Sequence, residues 1–407
     1  MVKGVRMYME LSRKVMQIQP SATLKISATA KQMMADGIDV INLGIGEPDY
    51  QTPDNIKQAA IESIQNGQAS FYTPATGLPA LKQAISQRIE ADHHYHFDPN
   101  QIVVTDGAKM ALFTLFQVVL NPEDEVLLPV PYWVSYSEQV KLAGGTPVEV
   151  GTDEQLRFTT ADLEASRTPK TKALVLNSPQ NPSGLVFSRA ELTAIVNWAV
   201  EHDILVVADE IYEKLLYNGN QFTSVLELDD ANMDHVVLIN GVSKAYSMTG
   251  WRIGYAAGPQ AIMAKMGVVL GHAASNPAAV SQYAAIEAFS GDQSSVEKMR
   301  QGFEARLNEL YPLIERLPGF KMPAGKPAGA FYLFPDITEA LRLTGYADAP
   351  AFVTAVLLEA HVGLVPGEAF GLPGCVRLSY ATDIDSLREA HRRLQKFMTE
   401  KIAEQAK

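Results

Sequence analysis

The sequence predicts an α/β protein, with a doubly wound, mainly parallel sheet in a large domain and a smaller α+β domain after it. Three observations carry this reading. Across residues 100–258, short apolar runs rich in Val, Ile and Leu alternate with helical stretches, the pattern of βαβ units whose strands are buried on both faces. Those runs end in Gly-, Pro- and Asn-rich turns, at the edge where an open parallel sheet binds ligands. The chain, at 407 residues, also exceeds what one core holds, and its composition shifts around Pro318-Gly319 and Pro323–Gly329. The expected division is 1–50 as an N-terminal arm and part of the small domain, 51–300 as the large domain and 301–407 as the small one.

In chain order, residues 10–35 read as amphipathic helix broken by Pro20-Ser21-Ala22-Thr23. Val40–Leu43 is a strand leading into Gly44-Ile45-Gly46, where glycines let backbone pass close to another group. Asp54 is expected to cap a helix reaching Asn66, and Leu81–Ala91 forms the next. The run Asp92-His93-His94-Tyr95-His96 lacks a carboxylate or cysteine at ligand spacing further along, and reads as a solvated loop rather than a metal site. Ile102–Thr105 is a buried strand, and Asp106-Gly107-Ala108-Lys109 opens a helix whose free N–H groups can seat a phosphate. Glu125–Leu128 leads to Trp133, a core filler or a flat face for a heteroaromatic ring. Thr146–Val150 and Lys172–Leu176 follow, the latter running into the turn that holds Asn181.

Ile204–Ala208 is a continuous apolar run that ends in Asp209-Glu210-Ile211-Tyr212. A carboxylate at the end of such a strand is costly unless a cation pairs it, and a protonated pyridine nitrogen would do so. Val236–Ile239 ends at Asn240-Gly241, which places Lys244 just beyond another strand end. A lysine desolvated there, near the cation of Arg252, has its pKa lowered and suits a Schiff-base nucleophile. Gly254–Gly258 is one more strand; the chain is then largely helical to about Arg316. Ala330–Phe334, a helix near Ala351–Glu359, Val362–Val365 and Val376–Tyr380 make the smaller unit. Arg377 lies inside an apolar strand and therefore needs an anion, from a protein carboxylate or a substrate.

The spacing Gly241-x-Ser243-Lys244-x-x-Ser247-Met248-x-Gly250-x-Arg252-Ile253-Gly254 resembles the pyridoxal-phosphate attachment signature of class I/II aminotransferases. With Gly107–Lys109, Trp133, Asn181, Asp209 and Tyr212 in order, the likeness extends from Pro20 to about Ala381 and resembles the aspartate aminotransferase family of fold-type I enzymes. That resemblance implies a seven-stranded sheet and pyridoxal 5′-phosphate as cofactor. It implies Lys244 as the Schiff-base lysine and proton shuttle, Asp209 on the pyridinium nitrogen, and Asn181 and Tyr212 on the ring oxygen. Trp133 would stack on the ring, and Gly107, Ala108, Lys109, Ser243 and Arg252 would surround the phosphate. Gly46 and Arg377 would bind the substrate α-carboxylate. Tyr72 would reach the phosphate of a neighbouring subunit, which implies a homodimer.

Family members best known for dicarboxylic substrates place an arginine near residues 271–281, and this chain has none there. A bacterial branch without that arginine uses a lysine and a Ser/Thr pair; Lys109, Ser21 and Thr23 resemble that set. The implied reaction moves an amino group from aspartate or glutamate to a 2-oxo acid. The alternatives are an aromatic or prephenate aminotransferase and a carbon–sulfur β-lyase. Net charge is −12, which argues against nucleic acid as a partner. No apolar run has bilayer-spanning length, the N-terminus lacks a signal-peptide core, and the single Cys375 cannot form an internal disulfide. These features predict a cytoplasmic protein with no membrane partner, whose start could be Met7 or Met9.

Overall fold

The computed structural model describes residues 11–20, 22–229 and 233–406, with side chains not described for 22–25. Ser21 therefore lies outside the described residues, as does the Thr23 side chain and both candidate start methionines. The first strand, β1 (Ile41–Asn42), is short. Then come β2 (Ile102–Thr105), β3 (Glu125–Pro129), β4 (Thr146–Val150), β5 (Thr171–Asn177), β6 (Leu205–Asp209), β7 (Val236–Gly241) and β8 (Gly254–Ala257). These seven form one sheet in the order β2-β8-β7-β6-β5-β3-β4. All pairings are parallel except the two made by β8, which runs against both neighbours.

Strand alternation sorts the central residues between two faces. On β6, Val206 and Ala208 join the core beneath helices Pro79–His93 and Arg189–Glu201, while Leu205 and Val207 face Leu112, Phe116, Tyr136 and Met266 on the other side. Continuing that alternation, Asp209 points to the Tyr136 face and Glu210 to the Pro79–His93 face. β7 follows the same rule: Leu238 lies on the first face and Ile239 on the second, so Asn240 returns to the first.

A second core gathers Leu43, Tyr212, Tyr217, Phe303, Phe331, Tyr332, Val376, Leu378 and Leu394. It holds β9 (Tyr332–Leu333), β10 (Val362–Gly363) and β12 (Val376–Ser379), while β11 (Val365–Pro366) packs in a small cluster with Phe334 and Phe370. The antiparallel order is β11-β12-β9, and β10 pairs in parallel with β1, so the N-terminal strand is bound to the C-terminal unit. Helix Ala349–Ala355 continues into a π-helical turn, Val356–Ala360.

Two local expectations are corrected. Asp54 does not cap its helix: Pro53 holds the cap position, and the Asp54 carboxylate meets Lys57 at 2.6 Å from the first turn. The run 92–96 is not simply a solvated loop, because helix Pro79–His93 continues through His93 and buries it between Glu213 and Glu227. Its partners lie far away in sequence, so no local signal marked it.

Candidate active site

The ends of β5, β6 and β7, the start of helix Ala108–Val119, the loop after β1 and strand β12 enclose a cavity of about 500 Å³. It is lined by Gly46, Ala108, Lys109, Trp133, Asn181, Asp209, Tyr212, Ser243, Lys244, Arg252 and Arg377, so the fold brings together most of the residues singled out from sequence. Gly107 lies just behind the lining. Its φ of +84° suits glycine, and a Cβ there would collide with the Arg252 guanidinium. Tyr72 is not in the cavity. It stands 91% exposed beside Phe71 at 75%, on the protein's outer surface.

Lys244 Nζ donates to the Gly46 carbonyl at 2.7 Å. Burial, with the cations Arg377, Arg252 and Lys109 nearby and Glu47 acting the other way, lowers its ammonium to about 8. The amine is thus within reach of its neutral, nucleophilic form near neutral pH. A Cβ on Gly46 would strike the Tyr332 hydroxyl, so glycine is what lets Tyr332 pack against this loop. Tyr332 and Tyr212, both members of the second core, share a 2.7 Å hydrogen bond at the cavity wall.

Asp209 is 3% exposed, and burial raises its carboxyl to about 6, although the Tyr136 hydroxyl, the Ile211 N–H and Lys244 act the other way. Tyr136 donates to its Oδ2 at 2.6 Å. No cation pairs with it at ion-pair distance among the described residues, so its environment calls for one. Tyr136 escaped the sequence reading because a tyrosine in helix Ser135–Ala143 looks like packing. Only strand alternation, which turns Asp209 toward that helix, gives it a role.

Arg377 is 2% exposed and lies between the rings of Tyr332 and Phe370, at 4.4 and 4.9 Å. Its Nη1 donates to Asn181 Oδ1 at 2.9 Å and its Nη2 to the Gly44 carbonyl at 2.8 Å. Its Nε has no acceptor, and no protein carboxylate pairs with it among the described residues. Of the two anions the sequence left open, the arrangement favours one that arrives with a ligand.

Arg252, at φ +57°, is held by the carbonyls of Thr249 and Asp106 at 2.8 and 3.0 Å, beside the first turn of helix Ala108–Val119. Helix N–H groups, Ser243 and this guanidinium make an anion seat. Lys109 Nζ lies 4.9 Å from the Trp133 ring centre, with no ion-pair partner among the described residues; burial and Arg252 lower its pKa. The cavity therefore offers an anion seat, a carboxylate waiting for a cation, an amine and a buried arginine within one enclosure.

These environments have a pH signature. Burial raises Asp209 from 3.8 to about 6, and raises Glu210 from 4.5 to about 8 with Glu213 adding to it against the charge of His93. Both folded-state values exceed the unfolded ones, so their contribution to stability is full in acid and is lost as pH rises through 6 and then 8. Urea midpoints of the ligand-free chain should fall between about pH 5 and pH 8. A midpoint that climbs across this window would mean both carboxyls are ionised without penalty.

A family model described as aminotransferase class I and II matches residues 38–394. The chain is 51% identical to an aspartate aminotransferase of Bacillus sp. (strain YM-2), over 95% of this chain and 99% of that protein. It is also 51% identical to an asparagine–oxo-acid transaminase of Streptococcus mutans, over 96% and 99%. Among solved structures, an aspartate aminotransferase of Thermus thermophilus with maleate superposes with a TM-score of 0.89 at 38% identity, covering 95% of this chain and 99% of that one.

Proposed function

The chain belongs to the class I and II aminotransferases, and on that premise we propose that it is a pyridoxal-phosphate enzyme moving an amino group from aspartate or glutamate to a 2-oxo acid. The observation that carries the cofactor is the buried Asp209, which has no cationic partner among the described residues and shares its cavity with an anion seat. When bound, pyridoxal phosphate supplies an electrophilic carbon and a protonated ring that draws electrons from the substrate Cα.

This chain's residues supply the rest. Lys244 offers the neutral amine and, once free, carries a proton to and from the substrate Cα. Asp209, steadied by Tyr136, holds the proton on the ring nitrogen. Asn181 and Tyr212 orient the ring oxygen, and Trp133 gives the ring a flat face. The first turn around Gly107, Ala108 and Lys109, with Ser243 and Arg252, seats the phosphate. Arg377 takes the substrate α-carboxylate beside Gly46. Both half-reactions use this one site, which gives ping-pong kinetics. The exposed Tyr72 supports a homodimer in which it reaches the partner's phosphate. No helix among the described residues is long and apolar enough to cross a membrane; a cytoplasmic location is part of the same proposal.

The test is the visible spectrum of the cofactor-loaded protein. Aspartate alone should remove the band and 2-oxoglutarate should restore it. A response to phenylalanine or tyrosine but not aspartate would move the substrate class to aromatic amino acids. Release of ammonia and pyruvate from cysteine or cystathionine would move the reaction to β-elimination.

Lys109 is the side chain proposed to meet the distal carboxylate, with Ser21 and Thr23 assisting. Removing a charge-assisted contact costs about 1.5–3 kcal/mol, so Lys109→Ala should cut kcat/KM for aspartate roughly 10- to 150-fold. Alanine should lose far less as a substrate. Equal losses on both would reassign Lys109 to cofactor or fold.

A further inference from the structure

Behind the sheet, on the face opposite Asp209, lies a buried ionic group with no part in the reaction above. His93 Nε2 meets Glu213 Oε2 at 2.8 Å and its Nδ1 meets Glu227 Oε1 at 2.9 Å, bridging residues 120 and 134 positions away. Burial opposes charge on the ring, but Glu213, Glu210 and Glu227 outweigh it and raise the imidazole to about 9. With both ring nitrogens donating, His93 keeps no lone pair for a metal, although it, Glu210 and Glu213 stand within 4.8 Å of one another.

Two of these carboxylates, Glu213 and Glu210, lead to the active site. Glu213 is hydrogen-bonded by the Asn240 side chain, at the end of β7 and four residues before Lys244. Glu210 directly follows Asp209; its carboxyl takes Ser224 Oγ at 2.7 Å and the Val225 N–H at 2.9 Å, pinning the return of the loop that contains Tyr212. A cavity of about 10 Å³ touches His93, Glu213 and Asn240 on one side and Ala245, next to Lys244, on the other.

The surrounding charges close the group from every side. Lys214 meets Asp92 at 2.6 Å and Arg88 meets it at 3.4 Å, while Arg189 meets Glu227 at 3.3 Å. Tyr246 and Tyr255 complete the wall, with their hydroxyls held neutral by burial.

We propose that His93 is a positioning residue for the active site: by tying Glu213 and Glu227 to helix Pro79–His93, it sets where the ends of β6 and β7 hold Asp209, Tyr212 and Lys244. This rests on the roles given to those three residues under the proposed function. The hold is mechanical and needs the charged ring, because a neutral imidazole can donate to only one of the two carboxylates.

The experiment compares wild-type holoenzyme with His93→Gln and Glu227→Gln. In His93→Gln, kcat should fall roughly tenfold, the scale of a sub-ångström misplacement, with KM for the amino donor unchanged within about twofold because Arg377 stands on the other core. The apo-protein's Kd for pyridoxal phosphate should rise about tenfold as Asp209 and Lys244 shift. In Glu227→Gln the loss of one anion should move the His93 titration, read by NMR of labelled histidine, about one pH unit toward acid. The alkaline limb of kcat should move with it.

A lowered Tm in His93→Gln with wild-type kcat and cofactor Kd would reduce His93 to a latch for the fold and overturn the proposal. So would an alkaline limb that ignores the Glu227→Gln shift, or stoichiometric zinc in protein dialysed against zinc alone. Should His93→Gln fail to fold, Glu227→Gln decides by the same comparison. If wild type shows no half-reaction with any amino acid, the aminotransferase roles fail; cofactor Kd in the variants then decides the positioning role alone.

Discussion

Lys244→Ala is expected to abolish turnover, with kcat falling on the order of 10⁶-fold, the scale on which losing a covalent nucleophile leaves only binding and orientation. The reason lies in the surroundings of its amine. Burial and three cations bring Lys244 to about 8, and the Gly46 carbonyl holds the nitrogen in the cavity. Of the two lysines lining the cavity, Lys244 is held at the Gly46 carbonyl while Lys109 lies over the Trp133 ring, and the two arginines stay charged. Lys244→Arg should fail equally, which separates nucleophilicity from charge. Single-turnover absorbance with aspartate measures both variants, and appreciable turnover in either would remove Lys244 from its assigned role.

The second large effect concerns Asp209. Asp209→Ala should cut kcat by about 10³ through loss of the group proposed to keep the cofactor's ring nitrogen protonated. The ligand-free chain should nevertheless gain stability above about pH 6, since a buried carboxylate without a cation is removed. Activity and apo-protein Tm should thus move in opposite directions. A variant that loses both would show that Asp209 holds the loop rather than the cofactor. The expected opposition is a stability cost placed at a functional position, offset once the cation arrives.

The sheet and most of the cavity were legible because the relevant signals are local. A continuous apolar run names a central strand, and the residues just after it name the binding edge, which located Asp209, Lys244 and Asn181. Arg377 was legible by contradiction, a guanidinium inside an apolar strand. What escaped depends on distant partners. Tyr136 acquires meaning only from Asp209, 73 residues on, and His93 only from Glu213 and Glu227. The reversed direction of β8 had no signature either, since Gly254–Ala257 reads the same in a parallel or antiparallel pairing. Glu210 was visible beside Asp209 but was not assigned to the opposite face, although the period-two rule places it there.

The arginine that grips Gly44 and the lysine that grips Gly46 bear on how the protein is made. These two hydrogen bonds close loops of 333 and 198 residues. Non-local contacts form late, after the entropy of closing long loops has been met, and synthesis delivers the chain from its N-terminus. A growing chain that has emerged through β8 holds every strand of the large sheet, yet it has no Arg377 and no β10 to anchor β1. The enclosure around Lys244 can form only after Arg377 has been made. A product terminated before Arg377 can therefore hold every strand of the large sheet while remaining without a complete cavity.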